Sequence, residues 1–270
     1  VAQIRGAWED GNEIGTHFNG HFCVPYGGVG SWTPEEWLSE IEQAVSFVRN
    51  WKTNSGLRDE QPLPFDYARE LAGGRAPCLE GQRNLIPAAK EMGFRYDAGS
   101  AGGRQTWPRR IDGIWDFPLQ EIPSPGRDVE TLSMDYNFLA NQSGTTHGDR
   151  AMHALRGRQM RDGLLDAFDR AFHGNRAPLF VGDHFESWNG GIYMRAVEGA
   201  IKDICPRKGV HCVSFKQLSD WLDVQGPEVP ARLQELLVGR APKEGWAAYL
   251  SDSREAPGPE QAARVRPVAG

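Results

Sequence analysis

Short apolar segments alternate with amphipathic ones along most of this chain, and that alternation limits the folds open to it. The clearest helical stretch is residues 32–52. Thr33 can cap it, Pro34 falls at the first helical position, and Glu36 completes a capping box. Trp37, Leu38, Ile41, Ala44, Val45, Val48 and Trp51 then recur at spacings of three and four, which makes one buried stripe. A second helix is expected over 82–92, stopped by Gly93. Further helices are expected at 148–173, 190–203, 216–222 and 227–238. Strands are expected at 94–96, 114–119, 131–134, 179–181 and 210–215, with irregular polar segments at 54–74 and 99–110. Strands interleaved with helices imply an α/β fold with a mainly parallel sheet or barrel. In such folds chemistry collects at the carboxyl ends of the strands. His17, Arg75 and His184 each follow a segment readable as a strand.

The chain has 270 residues, enough for one large α/β domain or two small ones. Residues 1–225 read as one barrel-like domain. Residues 226–270 read as a terminal helix and, from Ala241, a loose tail rich in Pro, Gly and charge. The formal charge is −6 and no basic stripe is present, which argues against a nucleic-acid partner. No apolar run approaches the roughly 20 residues that a membrane-spanning helix needs. The four cysteines, Cys23, Cys78, Cys205 and Cys212, form no CxxC pair. Four thiols permit three pairings. Cys205 and Cys212 flank a short turn and can bridge locally, which leaves Cys23 for Cys78. These pairings are favoured over four reduced core thiols, and an even count fits an oxidising compartment outside the cell.

The stretch Gly15-Thr16-His17-Phe18-Asn19-Gly20-His21 carries two imidazoles four positions apart. On a helical turn such a pair shares one face. Two such nitrogens can hold one divalent metal, zinc above all. Ordinary surface or core histidines show this spacing about as often.

Further segments follow in order: Arg75-Ala76-Pro77-Cys78, then Trp115-Asp116-Phe117-Pro118, then Val181-Gly182-Asp183-His184. Together with the histidine pair they resemble the polysaccharide deacetylase family, the NodB-homology group of carbohydrate esterases, over about residues 7–223. The resemblance implies a distorted (β/α) barrel and a secreted, metal-dependent hydrolase that removes acetyl groups from a glycan. It implies His17 and His21 as metal ligands, Arg75 as the holder of a catalytic aspartate, and His184 as general acid. Trp115 and Pro118 would wall the acetyl pocket, with Cys78 and Trp188 as further substrate-binding positions.

The family's Asp-Asp motif, which supplies the base and the third metal ligand, has no counterpart here. The chain is therefore expected to begin after the family's first strand, with residues 1–8 as the helix that leads into the histidine segment. Glu9-Asp10-Gly11 reads as a turn, and Asp97 as a turn-ordering residue. Ile114 stands where the family has the aspartate that tunes its acid histidine; Asp112, Asp116 or Asp183 are the candidate substitutes. Two alternatives remain: a glycan-binding pseudoenzyme, and a related hydrolase acting on other non-peptide carbon–nitrogen bonds.

Overall fold

The computed structural model describes residues 1–184 and 186–251. The chain is mixed α/β, with small sheets among many helices. In order the elements are α1 (Ala2–Glu9), α2 (Pro34–Arg49), α3 (Trp51–Ser55), α4 (Tyr67–Glu70), β1 (Gly73–Gly74), α5 (Gln82–Glu91), β2 (Tyr96–Asp97), β3 (Arg109–Ile111), β4 (Ile114–Asp116), β5 (Glu121–Pro123) and β6 (Glu130–Leu132). Then come α6 (Asp135–Ser143), α7 (His153–His173), α8 (Trp188–Ile204), α9 (Phe215–Val224), α10 (Glu228–Gln234) and α11 (Trp246–Ser251).

The main sheet has strand order β1-β2-β4-β3, with β1, β2 and β4 parallel and β3 antiparallel to β4. Thr16 pairs in parallel with Gly74, outside the named strands. On the far side, Ser133 N donates to Gln120 O at 2.8 Å and Gly182 N to Ser133 O at 2.9 Å. Met134 thereby faces Gly182 in a parallel bridge. A path of backbone bonds thus runs from Thr16 through the sheet to Gly182. Among the described residues it does not close on itself. His17, Arg75, Asp135 and Asp183 each sit one residue beyond a parallel pairing, on its carboxyl side.

Helix α2 forms as its sequence dictates. Thr33 N donates to the Glu36 carboxylate at 2.8 Å and Glu36 N to Thr33 Oγ1 at 3.3 Å, the reciprocal capping box. Trp37, Ile41 and Val45 pack on Leu85, Ile86 and Ala89 of α5. A second core joins α6, α7 and α8 through Phe138, Met160, Leu164, Ile192 and Ala196. A third is aromatic: Phe117 lies 5.6 Å from Tyr96, 5.3 Å from Phe180 and 5.7 Å from Phe215.

Several sequence-based assignments change. The strand at 73–74 lies inside the segment read as irregular, because two glycines carry no strand signature. Their lack of a side chain is what the position needs. A Cβ on Gly74 would stand 2.3 Å from Thr16 O, and one on Gly73 would stand 2.4 Å from Tyr96 O. Residues 179–181 form no named strand; only Gly182 makes a bridge. Residues 210–214 are likewise not a strand, but lead into the Ser214 capping box of α9. Helix α11 replaces part of the expected loose tail. It is held by the Tyr249 hydroxyl on Arg232 O, with the Arg232 guanidinium 4.4 Å from that ring's centroid. The rest of the expected tail, 252–270, lies outside the described residues.

Two disulfides, Cys23–Cys78 and Cys205–Cys212, are formed, as favoured from the sequence. No described helix is long and apolar enough to cross a membrane.

Candidate active site

The segment carrying His17 and His21 is not a helical turn, contrary to the sequence-based expectation. It is an irregular loop after the Thr16 bridge, and Phe18 takes a left-handed φ of 62°. Three anchors fix the loop's start. Glu13 accepts from the Tyr96 hydroxyl at 2.7 Å and from Lys216 N at 2.8 Å, and the Tyr67 hydroxyl donates to Gly15 O at 3.1 Å. At the other end, Glu40 accepts from Gly20 N at 2.6 Å. The two imidazoles still meet, with centroids 5.3 Å apart.

The ring atoms available on His17 follow from one contact. His17 Nδ1 lies 2.7 Å from Arg75 O. A carbonyl only accepts, so Nδ1 carries the proton and Nε2 presents its lone pair. This is the arrangement that histidine metal ligands use. The ring keeps an exposed edge, yet the atoms packed around it hold its pKa below the ordinary imidazole range. The nearby positive charges of His21, Arg75 and His184 act in the same direction, against the bond to Arg75 O. His21 is exposed, and its Nδ1 lies 3.5 Å from Cys23 Sγ.

Arg75 is half-buried, its Nε donating to Ala98 O at 2.9 Å. Its Nη1 lies against Gly182, 2.8 Å from where a Cβ there would be. Burial lowers its pKa, with Asp97 and Tyr96 opposing. Asp97, 3% exposed, has its pKa raised to about 7, first by burial and then by the Asp116 charge. Its Oδ1 accepts from Gly99 N at 3.0 Å, so it orders the turn there, as read from the sequence.

His184 is held by Asp135. Its Nδ1 lies 2.6 Å from Asp135 Oδ1, and its backbone N donates to Oδ2 at 2.8 Å. The bond to Asp135 raises the His184 pKa, against burial. In turn, the bonds from His184 outweigh burial and hold the Asp135 carboxyl below its usual range. Asp183 is pushed the other way, by burial and by the Asp135 charge. Sequence reasoning missed Asp135. The tuning role considered for Asp112, Asp116 or Asp183 belongs to it, with Asp183 adding only a weaker charge effect on His184. Asp112 is exposed in a turn, and Asp116 is bound to Ser100 and Arg109. The available signal was position: Asp135 immediately follows the segment 131–134, at a strand's carboxyl end.

His17, His21, Arg75 and His184 therefore come together, with Trp188 beside them, its ring 5.2 Å from that of His184. Pro118 packs at Gly102. Trp115 does not face this group. Its indole donates to Asp223 of α9 at 2.8 Å under the Arg110 guanidinium, so it is engaged elsewhere. Cys78 is committed to its disulfide.

Comparison with protein-family models and with curated proteins finds no match to this chain.

Two imidazoles are half of a zinc site. Among the described residues, the one trio of ligand-type atoms within 4.8 Å of one another is His21, Cys23 and Cys78. Its two sulfurs are bonded to each other, so it is not a thiolate site. No described carboxylate completes a trio with the two imidazoles.

Proposed function

We propose that this chain carries the histidine and arginine machinery of a hydrolase that removes acetyl groups from an N- or O-acetylated glycan, resembling the polysaccharide deacetylases. The observation that carries this reading is that two differently tuned imidazoles, His17 and His184, lie near enough to act on each other electrostatically, with Arg75 acting on both. His17 is held neutral with Nε2 free to offer a lone pair. His184, paired with Asp135, is held toward its protonated form. Environments that push titratable groups apart separate acceptor from acid.

The chemistry assigned to each side chain follows. His184 donates a proton from Nε2 to the departing amine or alkoxide, while Asp135 stabilises the imidazolium and fixes the ring. Arg75 places a permanent charge beside both histidines, suited to holding a carboxylate or an oxyanion. Trp188 offers an apolar face for a sugar ring next to the acid. His17 and His21 are the residues that would hold a divalent metal, zinc by preference; when bound, such a metal polarises an acyl carbonyl and acidifies water. The third ligand and the base are not among the described residues, so no step is derived through them.

The parallel path from Thr16 to Gly182, with its functional residues on the carboxyl side of the pairings, supports a distorted (β/α) barrel as the fold. The two disulfides support a location outside the cell. The test is acetate release by the full-length protein from N-acetylglucosamine oligomers and from O-acetylated xylan in the presence of zinc. Release from either supports the reading. No release from either, with the oligomers still bound, overturns it in favour of a glycan-binding protein.

A further inference from the structure

An open cleft of about 390 Å³ adjoins the site and shares only Trp188 with the residues assigned above. Its lining includes His147, Arg150, His153 and Asn189, and no carboxylate. Arg150 and His153 are spaced by three, so they share one face at the start of α7. That face meets the start of α8, where Asn189, Gly190 and Gly191 all have left-handed backbones. Gly190 lies against His153, with Nδ1 3.8 Å from where a Cβ would stand.

This corner contains polar atoms without partners. Among the described residues, His153 Nε2 and Asn189 Oδ1, both on this lining, are buried without a hydrogen-bond partner. Buried polar atoms left unpaired on a cleft wall mark a missing partner.

We propose that this cleft is a subsite for an acidic sugar unit, whose carboxylate is received by Arg150 and His153. The remaining features fit a sugar. Asn189 Oδ1 is an acceptor for a hydroxyl, and Trp188 presents a ring face shared with His184 on its other side. The proposal rests on the hydrolase reading and names its substrate class: an acetylated glycan containing uronic acid. The chain's overall negative charge does not oppose this, because the lining itself is cationic and neutral.

The test is an NMR titration of the full chain with glucuronate, glucose and inorganic phosphate, following the Gly190 and Gly191 amides. Glucuronate is expected to shift both amides, with at least about tenfold weaker binding for glucose. Arg150→Gln, at an exposed position, is expected to weaken glucuronate by about the same factor. Equal binding of glucose, or full glucuronate affinity in Arg150→Gln, would overturn the proposal. Phosphate binding as tightly as glucuronate would overturn the sugar assignment. Binding is read here without turnover. Loss of the hydrolase reading through absent acetate release is therefore distinguishable from loss of the subsite.

Discussion

Asp135 grips His184 twice, through the ring at 2.6 Å and through the backbone N at 2.8 Å. One carboxylate thus sets both the protonation and the orientation of the ring. Asp135 is 1% exposed and begins α6, so the grip is fixed to a rigid element.

Asp135→Asn should lower the pKa of His184, read from its imidazole carbon resonances against pH. The effect on stability has a sign. A histidine pKa raised on folding contributes stability that is complete below the unfolded value of 6.5 and fades as pH rises through the folded value. The variant should therefore lose more stability at pH 5.5 than at pH 9. Equal losses at both would show that the charge on Asp135 is not what holds the ring.

Asp97 gives stability the same direction of pH dependence, but as a cost of its charged form. Its carboxyl titrates near 7 in the fold against an ordinary 3.8. Between those values the folded state holds more proton than the unfolded one, so stability falls as pH rises. Urea unfolding should show Asp97→Asn gaining up to a few kcal/mol on the parent above pH 7. Little difference is expected near pH 4.

Gly74→Ala should unseat the Thr16 bridge, since the new methyl would meet Thr16 O at 2.3 Å. Overpacking of this kind costs about 1–3 kcal/mol. The His17 loop begins at that bridge, so the contact of His17 with Arg75 O should loosen as well. Chemical denaturation checks the first effect, and the His17 tautomer, read by nitrogen NMR, checks the second.

The disulfides should differ in weight. Cys23–Cys78 spans 55 residues and Cys205–Cys212 spans 7. On chain entropy alone the first is worth about 4 kcal/mol and the second about 2 kcal/mol. Serine replacement of each pair, followed by thermal melting, should show the larger loss for the first pair, which also anchors the loop carrying His21.

The legible parts of this molecule were those written in local pattern. The Thr33 cap and the Trp37–Ile41–Val45 stripe specified α2, and Gly93 stopped α5 with a φ of 79°. The turn at Asp10–Gly11 and the cysteine pairings also followed from short-range signals. What stayed hidden depends on distant chain. Gly73 and Gly74 form a strand because Tyr96 and Thr16 approach closely from either side, and no propensity records that. The helical spacing of His17 and His21 misled for a related reason: the loop is shaped by Glu13, Tyr67 and Glu40, which reach it from elsewhere. Trp115 matched a motif position, yet its indole is claimed by Asp223. Asp135 lay outside every motif, and only the pairing of Met134 with Gly182 brings it to His184.

The most direct test compares His184→Ala with His17→Ala in the full-length protein, for acetate release and zinc content. His184→Ala is expected to lose at least about a hundredfold in turnover while zinc content is unchanged. His17→Ala is expected to lose zinc. Undiminished turnover in His184→Ala, or full zinc retention in His17→Ala, would remove these rings from the roles given to them.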